Sequence, residues 1–258
     1  FSYAPAQRIM MLNLLITKAR LLISLTLWGM VAPVLASEPL PVVASFSILA
    51  DMVKQVGGPQ VAVTSLVGPN SDAHIFDPTP ADAKRLTAAK LVVVNGLGFE
   101  GWMNRLVKSS GYKGPILTAS KGVKTFPMAK MAHDHGHSHS HAAPDPHAWQ
   151  NLANARHYVE NIRVALSAAM PSYAATFQMR ARDYLKQIDA LEQSTQARIA
   201  AVPIERRRVI TSHDAFGYFA RAYKINFYPL QGLSTGSEAS AADVVRIVNE
   251  IKKNKVTA

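Results

Sequence analysis

Three histidines lie where an apolar strand or a loop is followed by a helix: His74, His147 and His213. Ligands bind at this side of the strands in open α/β sheets, so the three imidazoles could converge on one site. Neutral imidazole is a good ligand for borderline divalent cations such as Zn²⁺. For any one of them taken singly, an ordinary capped or hydrogen-bonded histidine is the favoured interpretation. Because the sequence contains no cysteine, any such site must use histidine, methionine or carboxylate groups.

An aspartate lies close to each of these histidines in the sequence: Asp77, Asp145 and Asp214. A carboxylate that accepts the second ring N–H of a metal-binding histidine fixes its tautomer and orientation. The same aspartates could instead cap helices, since aspartate is a favoured N-cap residue. One helix start is specified more fully, because Thr79, Pro80 and Asp82 have the spacing of a capped first turn.

Five more histidines occupy alternate positions in the segment 129–142: His133, His135, His137, His139 and His141. On an extended segment every second side chain points the same way, so these imidazoles could bind Zn²⁺, Ni²⁺ or Cu²⁺ together. The surrounding stretch 121–146 has no helical or strand periodicity, and we expect a mobile surface loop there. We predict a secondary metal site; the alternative is a soluble linker.

Apolar strand segments alternate with amphipathic helical segments, which predicts an α/β fold with parallel sheets. The predicted strands are 40–45, 60–67, 91–95, 115–118, 208–212 and 225–228. The predicted helices, besides the one that begins at Pro80, are 48–56, 101–109, 151–170, 172–200, 215–223 and 240–252.

The stretch 172–200 contains neither glycine nor proline and would form a helix about 40 Å long. A helix of that length predicts a bridge between two lobes. We therefore divide the sequence into an N-terminal lobe at 37–170, a linking helix at 171–200 and a C-terminal lobe at 201–258. Because the last part has so few predicted elements, we expect the second lobe to be truncated.

Residues 1–36 are predicted to be upstream residues followed by a secretory signal peptide. Lys18 and Arg20 precede an apolar stretch at 21–35, and the small residue Ala36 follows it. This pattern is typical of an export signal, and the alternative is an N-terminal membrane anchor. Because no cysteine follows the apolar stretch, we expect no lipid anchor. We predict an exported, soluble protein in a bacterial periplasm.

The composition excludes some classes of protein. With 48% hydrophobic and 17% charged residues, the sequence is not that of a mostly disordered chain. A formal net charge of +11 would suit a nucleic-acid partner. The longest basic run is only 206–208, however, and the sequence has no dense lysine and arginine stripe with interleaved aromatic residues. We therefore expect no nucleic acid among the partners.

Six segments occur in one order along the sequence: 72–80, 95–102, the His-rich loop, 145–149, 211–218 and 231–235. This series resembles the zinc and manganese substrate-binding proteins of bacterial ABC transporters over essentially all of 41–258. The resemblance implies two α/β lobes joined by one long rigid helix, with one metal ion in the cleft between them. It also implies an ABC permease as the partner, and we expect a monomer that is not an enzyme. A periplasmic zinc metallochaperone is a further possible partner.

The resemblance also implies the ligands of the cleft. His74, His147 and His213 fall on the first three ligand positions of the family. The third position is usually histidine in zinc proteins and glutamate in manganese proteins, so His213 favours Zn²⁺. The family's fourth ligand, an acidic residue, would lie beyond Ala258. We therefore expect high-affinity capture of Zn²⁺ and its delivery to the permease for import.

Three alternatives stay open from the sequence. Three histidines with an open fourth position also describe a secreted zinc hydrolase, although no His-Glu-x-x-His stretch is present. The segment 96–101 has the glycine spacing of a dinucleotide-binding loop, but the acidic residue expected about twenty residues later is absent. A stand-alone zinc chaperone or buffer would share most features of a transport receptor.

Overall fold

Four parallel strands form the first sheet of the computed structural model, which describes residues 38–127, 143–232, 236, 239–254 and 256. The strands are β1 (Leu40–Phe46), β2 (Val61–Val67), β3 (Leu91–Val94) and β4 (Ile116–Thr118), in the spatial order β2-β1-β3-β4. Each neighbouring pair is parallel. The valine-rich strand β3 is buried along its whole length, as expected for a parallel sheet covered on both faces. The predicted parallel α/β arrangement is confirmed.

Short helices follow the strands of this sheet: α1 (Ser47–Gly57), α2 (Pro80–Ala88) and α3 (Met103–Ser110). Helix α1 buries Leu49, Val53 and Val56, which share one face of the helix. Helix α2 begins as predicted, with Pro80 at its first position and a capping box between Thr79 and Asp82.

Two long helices pack against α1 and against each other: α4 (Leu152–Ala169) and α5 (Ala174–Ala200). The two helices bury Tyr158, Ile162 and Phe177 completely. The 27 residues of α5 make a helix about 40 Å long. The chain before it, Pro171–Tyr173, forms a 3₁₀ turn, so the helix begins three residues later than the predicted linking segment. Proline at the start of that turn fixes the break between the two helices.

The second sheet contains two parallel strands within the described residues, β5 (Arg208–His213) and β6 (Asn226–Gln231). Helix α6 (Gly217–Tyr223) connects them, and α7 (Ala241–Asn254) packs on β6. Strand β5 has no fully buried residue, whereas β3 is buried throughout. The truncation of this lobe and the domain boundaries given above stay predictions.

Two sequence-based predictions fall on residues that the structure does not describe. The signal peptide at 1–36 and the His-rich loop at 129–142 both lie outside the described residues. None of the helices in the described parts of the chain combines the length and the apolar character that a membrane span requires.

Candidate metal centre

His74 lies in the loop between β2 and α2 and is half-buried. Its backbone N–H donates to Asp72 Oδ1 at 2.8 Å, which closes a local turn. The carbonyl of the preceding residue, Ala73, accepts a 2.7 Å hydrogen bond from Trp102 Nε1. The backbone of this loop is therefore held on both sides of the histidine.

His147 precedes the 3₁₀ turn Ala148–Gln150 and is only 1% exposed. The Oδ1 atom of Asp145 lies 2.8 Å from its ring Nδ1 and also accepts its backbone N–H at 2.9 Å. A carboxylate is an acceptor, so Nδ1 carries the proton of the neutral imidazole. The lone pair of Nε2 is consequently the free donor that His147 presents to the site.

His213 is the last residue of β5 and is half-buried. Its Nδ1 lies 3.3 Å from Ser212 Oγ. The strand ends there, and the chain continues through Asp214 towards α6. The Asp214 backbone N–H donates to Gly232 O at 2.8 Å, just beyond β6. The carboxyl end of the second sheet thus supplies the third histidine, at the side of parallel strands where ligands bind.

The three histidines converge, although they are 73 and 66 residues apart along the chain. One ring nitrogen of each lies within 4.8 Å of the others. The Nε2 atoms of His74 and His147 are 3.0 Å apart. Ligand nitrogens at about 2.0–2.1 Å from a tetrahedral Zn²⁺ would be roughly 3.3 Å apart, so this pair is already close to coordination geometry.

Aromatic rings surround the cluster on one side. Phe99 presents its ring to His74 at a centroid distance of 4.5 Å, and Trp149 lies 5.4 Å from His147. Phe46 packs on both of these aromatic residues. The three histidines and this wall line one cavity of about 360 Å³. Apolar walls lower the local dielectric and disfavour charged imidazolium in the cavity.

The electrostatics favour the neutral form of two imidazoles, those of His74 and His213. Burial, together with the neighbouring His147, lowers the pKa of His74 to about 4, against the smaller opposing effect of Asp72. Burial and His147 also lower the pKa of His213. Burial and the nearby Asp145 raise the pKa of Asp214. Neutral imidazole is the form that binds a metal ion, so at neutral pH His74 and His213 need to release few protons.

Of the three aspartates considered as partners of the histidine rings, only Asp145 contacts its histidine. Asp145 holds the ring of His147, as predicted. Asp77 does not hold His74: its side chain is 91% exposed and pairs with Arg105 at 3.0 Å. At His213, the neighbour of Nδ1 is Ser212 and not Asp214.

Sequence reasoning missed two residues that act on Asp145 from α6. The hydroxyl of the buried Tyr218 donates to the Asp145 carbonyl at 3.0 Å. Gly217 lies so close to the carboxylate that an added Cβ would be 2.5 Å from Oδ2. Both residues follow His213 closely in the segment 211–218, but contacts across more than 70 residues leave no local pattern in the sequence.

The described histidine cluster and the two α/β sheets joined through a long helix define a metal-binding protein. Residues 42–258 match the family described as ZnuA, zinc-uptake complex component A, periplasmic. The chain therefore belongs to this family of metal substrate-binding proteins of ABC transporters.

Named relatives support the same classification. The manganese-binding lipoprotein MntA of Bacillus subtilis is 31% identical over 223 residues, which cover 86% of this chain and 71% of MntA. The zinc-binding protein TroA of Treponema pallidum is 33% identical over 217 residues, covering 84% and 68% of the two chains. A solved structure of periplasmic TroA superposes with a TM-score of 0.74 at 30% identity, over 84% of this chain and 76% of that chain.

These relatives are binding proteins and not enzymes, so the hydrolase hypothesis is set aside. The relatives differ in metal, since an iron-binding protein, YfeA of Yersinia pestis, is 29% identical over 216 residues, covering 83% of this chain and 67% of YfeA. The name lipoprotein in MntA conflicts with our expectation of a protein without a lipid anchor. That expectation, like the expected monomer, stays a prediction.

Proposed function

We propose that this protein captures Zn²⁺ in the periplasm and delivers it to the permease of an ABC transporter for import. His74, His147 and His213 are the proposed ligands. The observation that carries the proposal is the donor set: three imidazole nitrogens within 4.8 Å of one another.

The chemistry of the donors favours zinc over harder ions. Imidazole suits Zn²⁺, whereas Mn²⁺ is better matched by carboxylate and carbonyl oxygen. Among the described residues the converging group consists of histidines only, and the carboxylate of Asp145 is engaged by the ring of His147. The zinc-binding name of TroA agrees with zinc as the transported ion. The manganese-binding name of MntA indicates manganese as the competing ion.

A closed site suits capture and release better than catalysis. Three histidines and one further donor complete the tetrahedron around Zn²⁺ and leave no position for an activated water. We expect the fourth donor to be acidic, as the family resemblance implies. Delivery would then require the lobes to separate, since a closed tetrahedral site gives up its ion only when ligands move apart.

Export to the periplasm and the roles of the other segments belong to the same proposal. Residues 1–36 would direct export, and the His-rich loop, with His133, His135, His137, His139 and His141, would raise zinc capture near the cleft. A periplasmic metallochaperone could supply the ion. A stand-alone zinc buffer is the competing function, and its tight site would reside in the loop.

The test is a chelator-competition titration with Zn²⁺ and, separately, Mn²⁺. It compares the wild-type protein with a variant lacking 129–142 and with a His74→Ala, His147→Ala, His213→Ala triple variant. We expect one tight zinc equivalent that survives the deletion and is lost in the triple variant. Loss of that equivalent with the loop, and normal binding by the triple variant, would identify a His-loop buffer instead.

A further inference from the structure

The loop at 95–102, between β3 and α3, has an unusual backbone. Gly96, Leu97 and Gly98 adopt positive φ angles of 85°, 58° and 79° in succession. This left-handed conformation is easy for glycine but unfavourable for leucine. Backbone strain of this kind persists only where the surroundings enforce it, and it concentrates at functional sites.

Glu100 enforces the shape of this 95–102 loop. Its Oε1 accepts the Asn95 backbone N–H and the Ser45 hydroxyl, each at 2.6 Å, and its Oε2 accepts the Gly96 N–H at 3.1 Å. Burial raises the pKa of the Glu100 carboxyl. The loop with the glycine spacing that suggested dinucleotide binding therefore surrounds a carboxylate of the same chain, and the N–H groups of Asn95 and Gly96 are bonded to that carboxylate.

Two side chains of the loop reach the backbone just before two of the proposed metal ligands. Asn95 Nδ2 donates to the Pro146 carbonyl at 2.9 Å, directly before His147. Trp102 Nε1 donates to the Ala73 carbonyl at 2.7 Å, directly before His74. Asn95 is fully buried and Trp102 is 5% exposed, so both bonds are shielded from water.

The orientation of the Asn95 amide is fixed from the other side. The hydroxyl of Tyr158, which is fully buried on α4, donates to Asn95 Oδ1 at 2.5 Å. An amide oxygen accepts and its nitrogen donates, so this contact directs Nδ2 towards Pro146. Between the two bonds, the ring of Phe99 contacts both imidazoles, with centroid distances of 4.5 Å to His74 and 5.9 Å to His147.

We propose that the 95–102 loop is a positioning element that presets His74 and His147 as a two-histidine half-site, through the carbonyls of Ala73 and Pro146. Asn95 and Trp102 are then positioning residues, which act on the ion only through the ligands. His213, on the second sheet, joins this half-site as the third histidine. The inference rests on the proposed function, because it assumes that the cluster binds a metal ion.

The test uses Asn95→Ala and Trp102→Phe, singly and together. The matched control is Asn161→Ala, because Asn161 Nδ2 also donates to backbone carbonyls, those of Ala119 and Lys121 at 2.8 Å, but away from the histidines. Zinc affinity is measured by chelator competition, the coordination geometry by the visible spectrum of bound Co²⁺, and stability by thermal unfolding of the metal-free protein. If Asn95→Ala does not fold, Tyr158→Phe loosens the same amide, with Tyr112→Phe as its control, since Tyr112 donates to Pro115 O.

We expect each loop variant to bind zinc about 10- to 100-fold more weakly and to change the Co²⁺ spectrum, as is typical when groups that orient ligands are removed. Asn161→Ala should bind zinc with wild-type affinity, even if its unfolding temperature is lower than that of the wild type. Wild-type affinity and an unchanged Co²⁺ spectrum in both loop variants would overturn the inference while the proposed function stands. Absence of zinc binding by the wild type itself would overturn the proposed function and the inference with it.

Discussion

Asp145 and His147 are joined twice, because Asp145 Oδ1 lies 2.8 Å from the ring Nδ1 and also accepts the histidine's own backbone N–H at 2.9 Å. One oxygen atom thus fixes both the backbone and the ring of the residue. The two side chains are 4% and 2% exposed, so water does not compete for these bonds. The orientation of the most buried histidine of the cluster is set before any ion arrives.

Replacing Asp145 by alanine should weaken zinc binding by about 10- to 100-fold, because the ring of His147 loses the partner that fixes its tautomer. Asp145→Asn keeps an acceptor but loses the charge, so the zinc affinity of this variant should lie between those of the wild type and Asp145→Ala. Chelator competition measures the effect. Asp77→Ala is the control, since Asp77 is exposed and pairs with Arg105. Equal affinities for Asp145→Ala and Asp77→Ala would mean that the Asp145 contact does not support the site.

Gly217→Ala should disturb the same carboxylate from the second lobe. An alanine Cβ would lie 2.5 Å from Asp145 Oδ2 and 3.4 Å from Phe126, so the aspartate side chain must move. Overpacking of this kind costs about 1–3 kcal/mol of stability. We also expect weaker zinc binding, because the moved carboxylate releases His147.

The control for that substitution is Gly114→Ala, where an added Cβ would also come too close to a side chain, that of Tyr112, but outside the segments that hold the histidines. Urea unfolding gives the stability and chelator competition gives the affinity. A Gly217→Ala protein that is destabilised but binds zinc normally would show that the Asp145 carboxylate has room to adapt without releasing the histidine.

The contribution of His74 to the pH dependence of zinc binding should appear only at an unusually low pH. An unperturbed histidine has a pKa of about 6.5, which alone predicts a loss of affinity as pH falls through that value. In the folded protein the pKa of His74 is about 4, because of burial and His147, and that of His213 is also lowered. Protons therefore compete with zinc at His74 only as pH falls towards 4.

The same shift has a consequence for the stability of the metal-free protein. The unfolded chain takes up a proton on His74 below about pH 6.5, whereas the folded chain does so only near pH 4. Stability should therefore fall as pH drops from 6.5 towards 4. Below pH 4 the protonation of His74 should cause no further change in stability. Thermal unfolding of the metal-free protein at several pH values measures the stability, and chelator competition at the same pH values measures the zinc affinity. Constant stability between pH 6.5 and 4 would contradict the lowered pKa of His74.

The elements of the fold were largely predictable from the sequence, because periodicity and capping are local. The strand pattern and the start of α2 at Pro80 are confirmed. The linking helix begins at Ala174 and not at 171, since Pro171 and its neighbours form a 3₁₀ turn that helical periodicity does not distinguish. The burial of β3 on both faces was signalled by its run of valines.

The site was predictable only in part. Residue types and motif order selected His74, His147 and His213, but sequence proximity wrongly suggested Asp77 as a partner for His74. Contacts that join distant segments, such as Tyr218 to Asp145 and Asn95 to Pro146, depend on tertiary packing. The glycine spacing at 96–101 indicated a special loop, and the structure shows that its left-handed residues wrap Glu100.

His213→Glu should shift the metal preference towards Mn²⁺. The substitution replaces a borderline imidazole donor by a hard carboxylate while His74 and His147 stay in place. The half-buried position should accept a charged side chain once a divalent ion neutralises it. We expect the ratio of Zn²⁺ to Mn²⁺ affinity to fall by about tenfold or more, equivalent to about 1.4 kcal/mol.

Paired competition titrations with the two ions measure that ratio, and His157→Glu is the control, because His157 is exposed on α4 away from the cluster. A metal-free His213→Glu protein should also unfold at a lower temperature than the wild type, since the carboxylate is then held without its counter-ion beside Asp214. An unchanged ratio would mean that His213 is not a ligand, and the zinc preference would then have to come from a donor outside the described cluster. A ratio that changes only in His213→Glu assigns the preference to the one histidine that the second sheet contributes.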